Sequence, residues 1–234
     1  MAQSLDSLAI KYGTDKSTIQ HGYTTFYDSI FKNKRIDPIN LMEVGVFYGA
    51  SIKMWRDYFP KGIIYAVDWY KGMNGNGSTF SSATSFIDEV RTAGIDRVEI
   101  KNCNQADIGE LQKLAADLKN VKFDIIIDDG SHLNKDQQLT FFTLWSLVKP
   151  GGVFVIEDIC CSLQTGYDNL LNGSNTTLTM LEQFSNTGCL TSKYMDASIT
   201  STTGSEIDRI EWGWTANRAK NQSGTVAIYR KIIV

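Results

Sequence analysis

The sequence predicts an α/β fold: a doubly wound, mostly parallel sheet of seven strands that ends in an antiparallel strand pair. Three observations predict it. Apolar, β-rich runs alternate with longer segments whose apolar residues recur at helical spacing. The first five runs stay apolar nearly throughout, as parallel strands covered on both faces do. The last two are separated by a polar loop, with Lys and Arg near the end, which suits an antiparallel pair at a sheet edge.

LMEVGV (Leu41 to Val46) is the first strand, and Ile52, Trp55 and Phe59 in GASIKMWRDYF mark the helix that follows. IIYAVD (Ile63 to Asp68), DRVEIKNC (Asp96 to Cys103), FDIIIDD (from Phe123) and GGVFVIEDI (Gly151 to Ile159) are the next four strands. TSFIDEVRTAG, DIGELQKLAADLKN and KDQQLTFFTLWSLV lie between them, each long enough for a crossover helix. After the polar tract CCSLQTGYDNLLNGSNTT comes a helix near Leu178 to Phe184, and IDRIEWGW and GTVAIYRKI supply the closing strands. The Gly-, Asn- and Ser-rich GMNGNGSTFSS is expected to be a mobile loop over the strand ends.

At 234 residues and 42% apolar, the chain is expected to form a single domain, 1–234. A net charge of −3 without a run of Lys or Arg argues against a nucleic-acid surface. The absence of an 18-residue apolar run and of a leader pattern argues against a membrane span or secretion, so a cytoplasmic location is expected. Cys103, Cys160, Cys161 and Cys189 have no CxxC spacing, and free, mostly buried thiols are expected.

Ligands of open α/β sheets bind at the carboxyl ends of the strands, so the chemistry there matters most. Gly45 and Gly49 in EVGVFYGAS let the first turn pass close to a ligand, although GxGxxG is absent. Asp68 ends the second strand, where an acidic residue accepts ribose hydroxyls; capping a turn is the other account. In NCNQAD, Asn104, Gln105 and Asp107 offer groups that can read an adenine edge, and Asp107 also suits a helix cap.

The fourth and fifth ends bring Asp128 and Asp129 beside Glu157 and Asp158. Four carboxylates together raise a pKa or require a hard cation such as Mg²⁺, Ca²⁺ or Mn²⁺. Strand alternation sends the members of each pair to opposite faces, so three ligands are expected rather than four. His132, three residues beyond Asp129, is placed to take a proton from a substrate hydroxyl. The competing account makes Asp129 and Ser131 a cap for a helix starting near Asn134, with His132 merely exposed.

From about Tyr12 to Asp158 the motifs YGTDK, HGY, EVGVFYGASIKMWRDYFP, IYAVD, NQAD, IDDGSH and KPGGVFVIEDI occur in order. Together they resemble class I S-adenosylmethionine-dependent methyltransferases with a Rossmann-like sheet, in particular the metal-dependent sugar O-methyltransferases of the mycinamicin macrolide type. The resemblance implies that Asp129, Glu157 and Asp158 hold Mg²⁺ (or Mn²⁺), with His132 as general base and Asp129 beside it in catalysis. It implies that Glu43, Gly45, Ser51, Asp68, Gln105, Asp107 and Asp128 hold S-adenosylmethionine. Residues 1–36 resemble a helical segment that closes over the cofactor or substrate, with Tyr12, Asp15, Lys16 and His21 as its matching residues. The family's aromatic and glycine-rich lid is reduced here to a Gly-Tyr, which leaves the acceptor least defined.

The expected reaction is methyl transfer from S-adenosylmethionine to a sugar hydroxyl, on a small molecule or glycan whose vicinal diol chelates the metal. A catechol or other phenol is the chemical rival, since it ionises nearer ~10 and needs a base less. A non-catalytic nucleotide- or sugar-binding module is the rival from another class. A homo-oligomer is compatible with all three.

Overall fold

The computed structural model describes residues 3–70, 86–90, 95–168, 175–214 and 223–232. The chain divides into two compact units, Met1–Asn104 and Gln105–Val234. GMNGNGSTFSS, parts of TSFIDEVRTAG and the segment 169–174 lie outside the described residues.

In the first unit, β1 (Asn40–Val44), β2 (Ile63–Asp68) and β3 (Val98–Asn102) run parallel with β2 in the middle. Leu41 registers with Ile64 and Val44 with Val67, and all four are buried. The third strand departs from the apolar expectation, with Glu99 and Asn102 exposed.

Helices pack in this unit as well. α1 (Leu5–Tyr12) starts at Ser4, whose hydroxyl accepts from the Ser7 amide at 3.1 Å, and ends at Gly13, φ 73°. α2 (Tyr23–Phe31) buries Tyr23, Tyr27 and Phe31 at four-residue steps along one stripe. That stripe meets α3 (Ala50–Tyr58): the Tyr27 and Phe31 rings stand edge-on to Trp55 at 5.3 and 6.0 Å between centroids. Tyr23 and Tyr27 are therefore core residues. Gly49 opens α3 at φ 73°, and a Cβ there would lie 2.2 Å from the Phe86 ring of the helical residues 86–90 (α4). Both the backbone and the neighbour demand glycine.

In the second unit, β4 (Phe123–Asp128) and β5 (Val148–Ile156) are parallel. β6 (Ile207–Trp214) and β7 (Gly224–Arg230) are antiparallel to each other, and β7 is antiparallel to β5, giving the order β4-β5-β7-β6. The antiparallel pair expected from the tail is thus present. Of its helices, α5 (Ile108–Asp117), α6 (Asn134–Leu144) and α7 (Thr177–Thr187) fall on segments expected to be helical. α6 is unusual in burying polar residues as well, including Asn134, Asp136, Gln137 and Gln138. α8 (Ala197–Glu206) was not expected, because ASITSTTGSE carries no apolar stripe.

No described helix is long and apolar enough to cross a membrane. None of the four cysteines forms a disulfide, and Cys189 alone among them is exposed.

The aromatic contact of α2 with α3 generates a stability prediction. Trp55→Ala should lower unfolding free energy by about 3–5 kcal/mol, the usual cost of deleting a buried aromatic. Urea denaturation of both proteins measures it.

Candidate functional site

In the first unit, the expected cofactor residues Lys16, Glu43 and Ser51 form one buried network. The Lys16 ammonium lies 3.5 Å from Glu43 Oε1, with side chains 1% and 0% exposed. The Ser51 hydroxyl donates to Glu43 Oε2 at 2.8 Å. A buried pair of this kind is costly to break, because removing one partner strands the other charge. It fixes the N-terminal segment to β1 and to the first turn of α3.

Gly45 takes φ 98°, and its amide donates to the Val67 carbonyl at 2.8 Å. Next to it, the Val46 amide donates to Asp68 Oδ2 at 2.8 Å, while the Tyr70 amide donates to Asp68 Oδ1 at 2.9 Å. Asp68 therefore ties the end of β2 to the turn after β1, and its carboxylate keeps lone pairs for further donors.

Tyr12 is engaged within the first unit. Its hydroxyl donates to Asp57 Oδ2, which Lys11 also reaches at 3.1 Å. Asp57 is the eighth residue of α3, roughly 10 Å along the helix from its start at ~1.5 Å per residue. Tyr12 thus ties the helices α1 and α3 together. Partial burial works against the Asp57 charge, yet hydrogen bonds from Tyr12, Lys11 and Arg56 hold its carboxyl down at about 2. Asp15 and His21 pair at 3.8 Å, and the His21 ring stacks on Tyr23.

In the second unit, the loop after β4 is stitched by Gln105. This amide donates to Asp128 Oδ1 at 3.0 Å and to Thr140 Oγ1 at 3.1 Å, and its carbonyl accepts from the Ser131 amide at 2.6 Å. Both amide hydrogens of Gln105, a residue expected near adenine, are engaged within the fold, where Gln105 braces the loop. Gly130 sits against it, where a Cβ would come within 1.8 Å of Gln105 Oε1. Asp107 caps α5, accepting from Gly109 and Glu110 amides at 2.8 and 3.2 Å.

Asp128 is buried, and its Oδ2 has no hydrogen-bond partner among the described residues. Burial pushes its carboxyl up to about 7, against the Gln105 hydrogen bond and the nearby His132.

The remaining acids converge. Asp129, His132 and Asp158 each present a ligand atom, all within 4.8 Å of one another, and carboxylate oxygens of Asp129 and Glu157 lie within the same distance. His132 Nε2 is 3.6 Å from Asp158 Oδ2, and the two side chains are 25% and 17% exposed. Both residues adopt left-handed backbone, φ 59° and 51°, a strain of order ~1–3 kcal/mol each that clusters at functional positions. His132 Nδ1 is buried without a hydrogen-bond partner among the described residues. Carboxylate oxygens beside one imidazole fit a hard divalent ion such as Mg²⁺ or Mn²⁺.

The capping account of Asp129 and Ser131 is not what the helix uses. The first amides of α6, at Asn134 and Lys135, donate to Asp168 Oδ1 and Oδ2 at 2.8 and 3.0 Å. Ser131 Oγ donates to Asp136 Oδ2 at 2.8 Å.

The model of the methyltransferase domain matches residues 42–159, half of the chain. The chain belongs to the methyltransferase domain family. It is 34% identical over 170 residues to the 8-demethyl-8-(2-methoxy-alpha-L-rhamnosyl)-tetracenomycin-C 3'-O-methyltransferase of Streptomyces olivaceus, covering 70% of this chain and 38% of that protein. The mycinamicin VI 2''-O-methyltransferase of Micromonospora griseorubida is 32% identical, with coverage of 70% and 38%. The chain therefore spans less than half the length of these curated relatives. Among solved structures, the MycE methyltransferase from the mycinamycin biosynthetic pathway, in complex with Mg and SAH, superposes with a TM-score of 0.73 at 25% identity. That match covers 99% of this chain and 56% of the other, and gives the Rossmann-like fold class directly.

In this methyltransferase domain, sequence reasoning missed Asp168 and Asn134. Asn134 Nδ2 donates to the Tyr167 carbonyl at 2.8 Å, and its Oδ1 accepts from Ser162 Oγ and the Thr177 amide, both at 2.7 Å. Neither residue carries a local signal, since the partners are distant in sequence.

Two predictions come from these contacts. Gly130→Ala should disrupt the Gln105 brace and weaken Mg²⁺ binding at least tenfold, read by isothermal titration, while circular dichroism stays that of the parent. Asp57 has a folded pKa below its unfolded ~3.9, so its stabilisation is complete above ~4 and is lost as pH falls toward 2. Acid denaturation of Asp57→Asn should accordingly show a smaller loss of stability across that window than the parent.

Proposed function

We propose that the chain carries a Mg²⁺-dependent O-methyltransferase activity, with Mn²⁺ as the alternative ion, that moves a methyl group from S-adenosylmethionine to a hydroxyl of a sugar-bearing acceptor. The observation that carries this reading is the convergence of Asp129, His132 and Asp158 within 4.8 Å on two strained backbone positions. The relatives' names support the choice of acceptor, since they specify rhamnosyl and mycinamicin substrates.

When bound, the donor supplies a methyl group already activated on a sulfonium, and the ion supplies Lewis acidity toward an acceptor hydroxyl. Asp129, Glu157 and Asp158 would hold the ion through hard oxygens. His132 accepts the proton of the hydroxyl being methylated, oriented by its 3.6 Å approach to Asp158. On the donor side, Asp68 takes the ribose hydroxyls, Gly45 lets the backbone approach, and the Lys16–Glu43–Ser51 network keeps that turn rigid. Asp107 and Asp128 complete the donor contacts, the latter through its unpartnered Oδ2. A vicinal diol would offer such an ion two oxygens, which favours a sugar over an isolated alcohol.

A methyl-donor assay on glycosides and on catechols, with and without Mg²⁺, tests the reading. Turnover of a diol glycoside that stops on chelation is the expected result, whereas turnover of catechols alone would reject the sugar assignment. His132→Ala should cut kcat by roughly 10²–10⁴-fold, the range of a general base, while leaving Mg²⁺ affinity within a few-fold. A parallel collapse of Mg²⁺ affinity would make His132 a ligand instead. Asp129→Asn and Glu157→Gln should lower Mg²⁺ affinity and turnover together.

A further inference from the structure

His132, the base of the reaction proposed above, has an imidazole with little of its own to hold it. Nδ1 is buried without a hydrogen-bond partner among the described residues, and Nε2 stands 3.6 Å from Asp158 Oδ2, beyond hydrogen-bond length. A catalytic imidazole is ordinarily oriented through its second nitrogen. Here the task falls to the backbone, at two left-handed positions, His132 and Asp158, of a kind that persists only where the surroundings hold it.

Those surroundings are bonds between the start of α6 and the tract after β5, all within the second unit. Asn134, two residues past His132 and 1% exposed, accepts at Oδ1 from the Ser162 hydroxyl at 2.7 Å and donates from Nδ2 to the Tyr167 carbonyl at 2.8 Å. Ser162 belongs to the 3-10 turn Ile159–Leu163 that Asp158 opens. Asp168 accepts three times from α6: Oδ1 from the Asn134 amide and side chain at 2.8 and 3.0 Å, and Oδ2 from the Lys135 amide at 3.0 Å. Gln137 Nε2 donates to the Glu157 carbonyl at 3.2 Å. The start of α6 is therefore bonded to this tract both before and after Asp158.

We propose that Asp168 is a positioning residue for His132: through Asn134, its carboxylate fixes the start of α6 and with it the approach of the imidazole to Asp158. The inference rests on His132 being the general base of methyl transfer. Its scale follows from geometry, since a misplacement of ~1 Å at a reacting group costs about 10²-fold in rate. Asp168 is exposed while Asn134 is buried, so Asp168 can be changed with the core left in place.

Methyl transfer to a diol glycoside with Mg²⁺ is compared for the full chain, Asp168→Ala, Asp168→Asn, His132→Ala and the double variant of Asp168→Ala with His132→Ala. Asp168→Ala should lower kcat about ten- to hundredfold, with KM for S-adenosylmethionine within about twofold of the parent. Asp168→Asn, which keeps one carbonyl acceptor, should recover part of that loss. In the His132→Ala background, Asp168→Ala should cost less than about threefold, because the residue it acts through is gone. An equal fold loss in both backgrounds, or a kcat unchanged by Asp168→Ala, would overturn the proposal. The chain has two histidines, so ring signals of the metal-free, donor-free protein give a second measurement, with His21→Gln as the assignment control. The His132 Cε1–Hε1 correlation should shift or broaden in Asp168→Ala, and less in Asp168→Asn, while that of His21 keeps its place. An unmoved His132 signal in a folded variant would also overturn it. A parent without turnover rejects the methyl-transfer reading itself, and the ring signals then still decide whether Asp168 places His132. Should Asp168→Ala unfold, Asp168→Asn carries both measurements.

Discussion

Four carboxylates leave β4 and β5 at ends held side by side, because the Glu157 amide donates to the Asp128 carbonyl at 2.9 Å. Two such charges ~4 Å apart repel by roughly 4 kcal/mol at the effective dielectric near a protein surface. The structure separates them by role. Asp128 turns inward to the Gln105 amide, and burial favours its neutral form. Asp129 and Asp158 stay together beside the His132 imidazole, with Glu157 close to Asp129, an arrangement a dication would relieve.

Holding like charges in place takes a rigid surround, and the second unit provides it from buried polar groups. Gln137 donates to the Glu157 carbonyl at 3.2 Å, and Gln105 engages Asp128, Ser131 and Thr140 at once. This is why α6 buries amides where an ordinary surface helix would expose them. In the first unit the Lys16–Glu43 pair has a comparable role, bracing the glycine turn from below.

Much of this was legible in the amino-acid order. β2 matches its expected span, and β4 falls within one residue of it, because unbroken apolar runs bounded by charge leave little freedom in placement. Asp129, His132 and Asp158 stood out because such groups rarely follow a buried strand without cause. The partners that Tyr12 and Gln105 take within the fold were not legible for a physical reason: side-chain chemistry says what a group can bind, while the fold decides which partner arrives first. Asp168 was invisible because it caps a helix 34 residues earlier in the chain. α8 was missed because its buried contacts come from Thr200, Thr203 and Gly204, which give no hydropathic rhythm.

The cap on α6 has a consequence for how this region moves. Leu133 precedes the helix without a side-chain cap of its own, so the termini of its amide ladder are completed from the tract after β5. Fraying the helix start and lifting that tract are therefore one event rather than two. Amide hydrogens at Asn134 and Lys135 should exchange with solvent at a rate shared with the residues near Asp168, and the acidic loop between them inherits the same cooperative unit.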